Sequence, residues 1–118
     1  MSKKRIYIAG PMRGYDDFNY SAFNVAADLI EMDPELRKIW HVCNPVEIGE
    51  GFGGASEIAA SPETLKRLME FELAAVKSCD AILLLDGWEK SEGARAELRV
   101  ALDNNLEIYT QESGVLIP

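Results

Sequence analysis

The chain has 118 residues, 47% hydrophobic and 27% charged, with 20 Asp and Glu against 12 Lys and Arg. One domain fits that length and a second does not; the apolar share is too high for disorder, and the longest apolar run, Ala81–Leu85, is far short of the ~20 residues a membrane helix needs. A net charge of -8 repels nucleic-acid backbones and anionic membranes on average, so composition predicts a soluble globular domain, in which a local patch of N–H groups and one Arg can still hold a small anion.

Lys3-Lys4-Arg5 runs straight into the apolar Ile6–Ala9, too short for a signal peptide and ended by Gly10-Pro11; Arg5–Ala9 reads as a buried strand. Tyr20–Met32 carries Tyr20, Phe23, Ala26, Ala27 and Ile30 at helical spacing, and Asp33-Pro34 stops it. Ile39–Cys43 is a second short strand, closed by Asn44-Pro45. Val46–Ser61 holds Gly49, Gly51, Gly53 and Gly54 with little apolar periodicity and reads as a mobile loop. Ser61-Pro62 supplies an N-cap and a proline at the first helical position, opening a helix to about Ser78. Ala81–Leu85 is a third strand, Glu92–Asn104 a third helix and Leu106–Tyr109 a fourth strand; no element is assigned after Gln111. Cys43 and Cys79 stand apart, with His41 the one nitrogen ligand available, which predicts free thiols in a reducing cytoplasm.

Strands alternating with helices predict an α/β fold: a three-layer, doubly wound (flavodoxin- or Rossmann-like) parallel sheet of four to five strands flanked by helices. Such sheets bind ligands beyond the carboxyl ends of their strands. Three loops are thereby singled out: Gly10–Asn19, Asn44–Ser61 and Asp86–Gly93.

Glu72 is the first candidate for chemistry. At about 100° per residue it falls in the middle of the apolar stripe Leu65, Leu68, Met69 and Val76. It is either a structural Glu held by a backbone N–H or an Arg, or a carboxylate facing a cleft. The segment from Ser91 to Glu97 is the second. Ala94, Leu98 and Ala101 form an apolar face with Glu97 along its edge, Gly93 removes a side chain near the helix start, and Ser91 caps the helix or bonds a ligand. The third is Tyr7-Ile8-Ala9-Gly10-Pro11-Met12-Arg13-Gly14, where a strand enters a Gly/Pro turn: a plain turn with a surface Arg, or a cradle of N–H groups and a guanidinium for an anion. The chain lacks GxxxxGK[ST], GxGxxG, a Ser-His-Asp set and carboxylates at metal-ligand spacing, which leaves carboxylate chemistry without metal or cofactor.

Together these pieces resemble the nucleoside 2-deoxyribosyltransferase-like superfamily, and most closely a small family of unknown function within it, frequent in phages and bacteria. The resemblance covers nearly the whole chain: YIAGPMRG from Tyr7, Phe18-Asn19, Asn44-Pro45, CDAILLLDGWEKSEGARAE from Cys79, and the last strand. It implies a Glu nucleophile at Glu97, a Tyr beside it at Tyr7, and a carboxylate contacting or protonating the base at Glu72, where the superfamily usually carries Asp. It also implies a sugar-side contact at position 91. A Ser there, as in the 5-monophosphate hydrolases, accepts a phosphate that a carboxylate would repel, and Arg13 matches it from the first loop, although Pro11 stands where those hydrolases carry Ser.

The resemblance thus implies an N-glycosidase of 2-deoxyribonucleoside 5-monophosphates working through a covalent glycosyl-Glu ester. Glu97, Glu72 and Tyr7 would be catalytic; Gly10, Met12, Arg13, Asp86, Trp88, Ser91 and Gly93 would bind substrate. Trp88, Met12 and the Gly49–Gly54 loop would wall and cover the base, with Trp88 as a packed loop aromatic the alternative. Base-exchanging transferase, nicotinamide-nucleotide glycohydrolase and non-catalytic nucleotide-binding module are the rival functions. The expected assembly is a homodimer or larger, in the cytoplasm.

Overall fold

A strand buried on both faces belongs to a sheet covered on both sides, and β1 (Lys4–Ala9) is of that kind: Ile6, Tyr7, Ile8 and Ala9 are all fully buried. In the computed structural model, which describes residues 3–12, 15–51, 61–112 and 115–117, β1 lies inside a five-stranded sheet of order β2-β1-β3-β4-β5. After β1 come α1 (Tyr20–Met32), α2 (Leu36–Ile39), β2 (Trp40–Cys43), α3 (Pro45–Gly51), α4 (Pro62–Lys77), β3 (Ala81–Leu84), α5 (Glu92–Asp103), β4 (Glu107–Glu112) and β5 (Val115–Ile117). Strands β1 to β4 are parallel, with Tyr7 opposite both Cys43 on β2 and Ile82 on β3.

Alternation along the strands sorts the core into two layers. Ile6 and Ile8 pack with Ala81, Leu83 and the α1 stripe of Phe23, Ala26, Ala27 and Ile30. Tyr7 and Ala9 face the other way, with Ile82 and Leu84, onto Val76 of α4 and Ala101 of α5. The result is the expected doubly wound, three-layer α/β fold. From β1 the chain steps to β2 on one side and to β3 on the other, so the direction of winding changes at the carboxyl ends of β1 and β3.

Several expected elements are met closely. The α1 bounds coincide with the sequence reading; α4 and α5 begin where their caps predict, with Ser61 Oγ accepting the Thr64 N–H at 3.2 Å and Ser91 Oγ accepting the Ala94 N–H at 3.1 Å. Two readings need correction. The segment expected as a mobile loop from Val46 is helical through Gly51, because Asn44 Oδ1 takes up the Val46 N–H at 3.0 Å and Pro45 tolerates the first turn; residues 52–60, with Gly53 and Gly54, lie outside the described residues. The last strand extends past Tyr109 to Glu112 and is joined antiparallel by β5, Thr110 opposite Ile117, so the sheet is parallel only in its first four strands. Cys43 and Cys79 are both free, the first half-buried and the second buried. Among the described residues no helix is long and apolar enough to cross a membrane.

Candidate active site

The loops after β1 and β3 approach each other closely enough to dictate two glycines. A Cβ on Gly10 would stand 2.9 Å from Leu85 Cβ, inside contact distance, so Gly10 is required by the packing of the two strand ends. Gly87 has a φ of +89°, and a Cβ there would lie 3.1 Å from the Tyr15 hydroxyl and 3.3 Å from Pro11 Cγ. Asn19 Nδ2 donates to the Pro11 carbonyl at 2.9 Å and ties the first loop to the start of α1. Between these loops and α4 opens a cleft of about 880 Å³. Gly10 and Met12 line it from the loop after β1, Phe18, Tyr20 and Phe23 from the approach to α1 and its first turn, Leu65, Leu68, Met69, Glu72 and Leu73 from α4, and Lys90 to Ala94, Ala96 and Glu97 from α5 and the turn before it.

Glu72 and Glu97 therefore meet in one cleft, although they sit on different helices. The α4 stripe in which Glu72 falls turns its polar member and part of its apolar length toward this cleft, while Val76 continues into the core. Glu97 is 8% exposed and accepts a hydrogen bond from the hydroxyl of Tyr7, which is wholly buried behind it. Tyr7 does not line the cleft; it positions Glu97 from beneath and is a positioning residue, not a group in contact with a ligand.

Burial governs the charge of all three. Loss of solvation pushes Glu72 up to about 7, with the Cys43 sulfur adding to the effect. Glu97 is raised well above the usual carboxylate range, first by burial and then by the charge of Glu72, while the Tyr7 hydrogen bond pulls it back. Tyr7 itself is raised by burial and by the two carboxylates, so its phenol stays protonated and remains a donor. Burial opposes ionisation of both carboxyls and the charge of Glu72 opposes that of Glu97 further, so the pair retains a proton into the neutral range. The Tyr7 hydrogen bond favours the negative charge on Glu97 but offsets burial and the charge of Glu72 only in part. Cys43, beside Tyr7 in the sheet, is lowered to about 7 by a hydrogen bond from Cys79, and Cys79 is raised by the same contact.

The remaining expected contacts divide. Ser91, Gly93, Gly10 and Met12 line the cleft. Arg13 lies outside the described residues. Asp86 and Trp88 are placed elsewhere: Asp86 is exposed, its N–H directed at Gln111 Oε1 at 3.4 Å, and Trp88 packs against the buried layer of Val76, Ile82, Leu84 and Ala101. The wall that Trp88 was expected to give comes from Phe18, Tyr20 and Phe23 together with α4. Sequence reasoning missed Tyr20 and Phe23 because apolar residues at helical spacing read as core, and it gave Phe18, in the turn before α1, no role beyond the resemblance. It also missed Lys90, whose signal was its place next to Ser91. Among the described residues no group of three or more His, Cys, Asp or Glu is arranged to hold a metal.

No curated protein matches the chain. A family model described as a domain of unknown function, DUF4406, matches residues 4–110. The match runs from the first residue of β1 into β4 and takes in Tyr7, Glu72, Ser91 and Glu97. The cleft and the carboxyl pair lie wholly within it, and the chain belongs to DUF4406, a domain family of unknown function.

Proposed function

We propose that this chain is an N-glycosidase of 2-deoxyribonucleoside 5-monophosphates, related to the nucleoside 2-deoxyribosyltransferase-like superfamily. The observation that carries the reading is the pair of carboxyls, Glu72 and Glu97, raised by burial and opening onto one largely apolar cleft, with Glu97 held by a buried tyrosine. A base-sized aromatic ligand fits the apolar wall, and two carboxyls sharing a proton are what a two-step displacement at an anomeric carbon needs.

In the first step a Glu97 oxygen attacks C1 of the deoxyribosyl group, the C1–N bond breaks, and the Glu72 proton goes to the departing base. In the second, Glu72 as carboxylate takes a proton from water while the water oxygen attacks C1 and releases Glu97. The products are free base and deoxyribose 5-phosphate with retained anomeric configuration. Tyr7 steadies Glu97 as leaving carboxylate by keeping its donor in place. By the same resemblance the working unit is a homodimer or larger in the cytoplasm, and the free cysteines suit a reducing compartment.

The test is incubation with each common deoxynucleoside 5-monophosphate, in wild type and in Glu97→Ala, followed by chromatography for free base. Release by wild type and silence of the variant is the expected result. Silence of both, with a nucleotide raising the melting temperature of each, replaces the glycosidase by a binding module. A new nucleotide formed on adding a second base makes it a transferase.

A further inference from the structure

The charges lining the cleft are unevenly distributed. Glu72 and Glu97 stand among apolar side chains, whereas Glu92 and Lys90 occupy the segment that leads into α5. Among the described residues Lys90 is the single cation that lines the cleft, and its ammonium has no carboxylate partner: the two ion pairs present are Lys4–Glu107 and Lys38–Glu35. Its main chain is fixed, since the Lys90 N–H donates to the Gly87 carbonyl at 3.1 Å in the turn that Gly87's positive φ creates.

What surrounds Lys90 suits an anion. Ser91 Oγ is committed to the Ala94 N–H, and the Glu92 and Gly93 N–H groups, at the first two helical positions, have no intrahelical acceptor. At Gly93 an added Cβ would meet only Ser91 Oγ, at 3.9 Å, so neither packing nor backbone conformation accounts for that glycine, which leaves the rim open. Glu92 is the opposing charge on this rim, so its preference for an anion turns on Lys90.

We infer that Lys90 is a specificity residue: its ammonium pairs with a phosphate monoester at the rim while the ligand's glycosidic end faces Glu72 and Glu97. This rests on the proposed function and deepens it, by naming the group that separates a 5-monophosphate from the unphosphorylated nucleoside. Glu92 sets the ceiling on that discrimination.

The experiment measures Kd by calorimetry for a deoxynucleoside 5-monophosphate and for the matching nucleoside, in Glu97→Ala protein to prevent turnover, with and without Lys90→Gln, Lys90→Arg and Glu92→Gln. Removing the cation lowers the preference for the monophosphate about tenfold, the scale of one charge-assisted contact at an exposed rim. Lys90→Arg restores the preference, Glu92→Gln increases it, and added salt erodes it in Lys90 protein more than in Lys90→Gln. An unchanged ratio in Lys90→Gln, an equal loss for both ligands, or no binding of either ligand overturns the inference. Binding with the expected change in ratio, but no base released by wild type, sinks the glycosidase reading and leaves Lys90 its role.

Discussion

Two acids raised by burial make stability depend on pH in a direction opposite to that of salt-bridged carboxylates. Glu72 goes from 4.5 to about 7 on folding, so between those values the folded chain holds a proton that the unfolded chain has released. Unfolding then liberates a proton, and rising pH favours it. At 1.36 kcal/mol per unit, the penalty grows to about 3 kcal/mol by pH 7 and levels off above it. Glu72→Gln removes this titration while keeping a side chain of the same size. Measured by urea denaturation, wild type and variant are expected to agree near pH 4.5 and to diverge as pH rises, with the variant about 3 kcal/mol more stable at pH 8. In melting temperature that is on the order of 10 °C for a chain of this length. Relief of Glu97, whose own ionisation is opposed by the charge of Glu72, works in the same direction. Comparing the two proteins at each pH cancels the repulsion from the overall charge of -8. Stability curves that run parallel from pH 4.5 to 8 would refute the reasoning, since they would mean that Glu72 is as well solvated folded as unfolded.

Tyr7→Phe deletes the donor that favours ionised Glu97, so the acidic limb of the pH profile for base release should move up by about one unit, with a lower rate at neutral pH. A profile that stays in place would deny Tyr7 its influence on Glu97. Gly10→Ala forces a Cβ against Leu85 and should cost about 1–3 kcal/mol in urea denaturation, whereas Gly93→Ala, with room for its methyl, should be neutral or slightly stabilising. Similar losses in both would show that the approach of the β1 and β3 ends is not what fixes Gly10. Ser91→Ala removes the α5 cap and should cost about 1 kcal/mol by the same assay.

How far the fold could be read depends on where its signals lie in the chain. The α1 helix is legible to the residue because its apolar stripe ends at Asp33-Pro34, and α4 and α5 because a serine opens each. Helix α3 was hidden by its glycines; it forms because Asn44 and Pro45 supply the first turn, which propensity alone does not reveal. Strand β5 pairs antiparallel through contacts with no local periodic signature. In the site, Glu72 was visible as a carboxyl out of place in an apolar stripe, and Glu97 as an inward residue near a helix start. That both belong to one site was implied by the resemblance alone; helical periodicity could not show it, because it depends on the relative placement of α4 and α5. The same limit explains Trp88: a loop aromatic beside a ligand-binding edge reads alike whether it faces the cleft or, as here, the buried layer under α5.

The bond between Tyr7 and Glu97 also gives the molecule an optical signal. A phenol that donates to a carboxylate absorbs at longer wavelength than one that donates to a neutral acid, and a wholly buried ring is shielded from solvent effects that blur such shifts. The near-ultraviolet difference spectrum between wild type and Tyr7→Phe isolates this ring from the other three tyrosines. Followed against pH or added nucleotide, it reports the charge on Glu97 directly, without turnover, label or added dye.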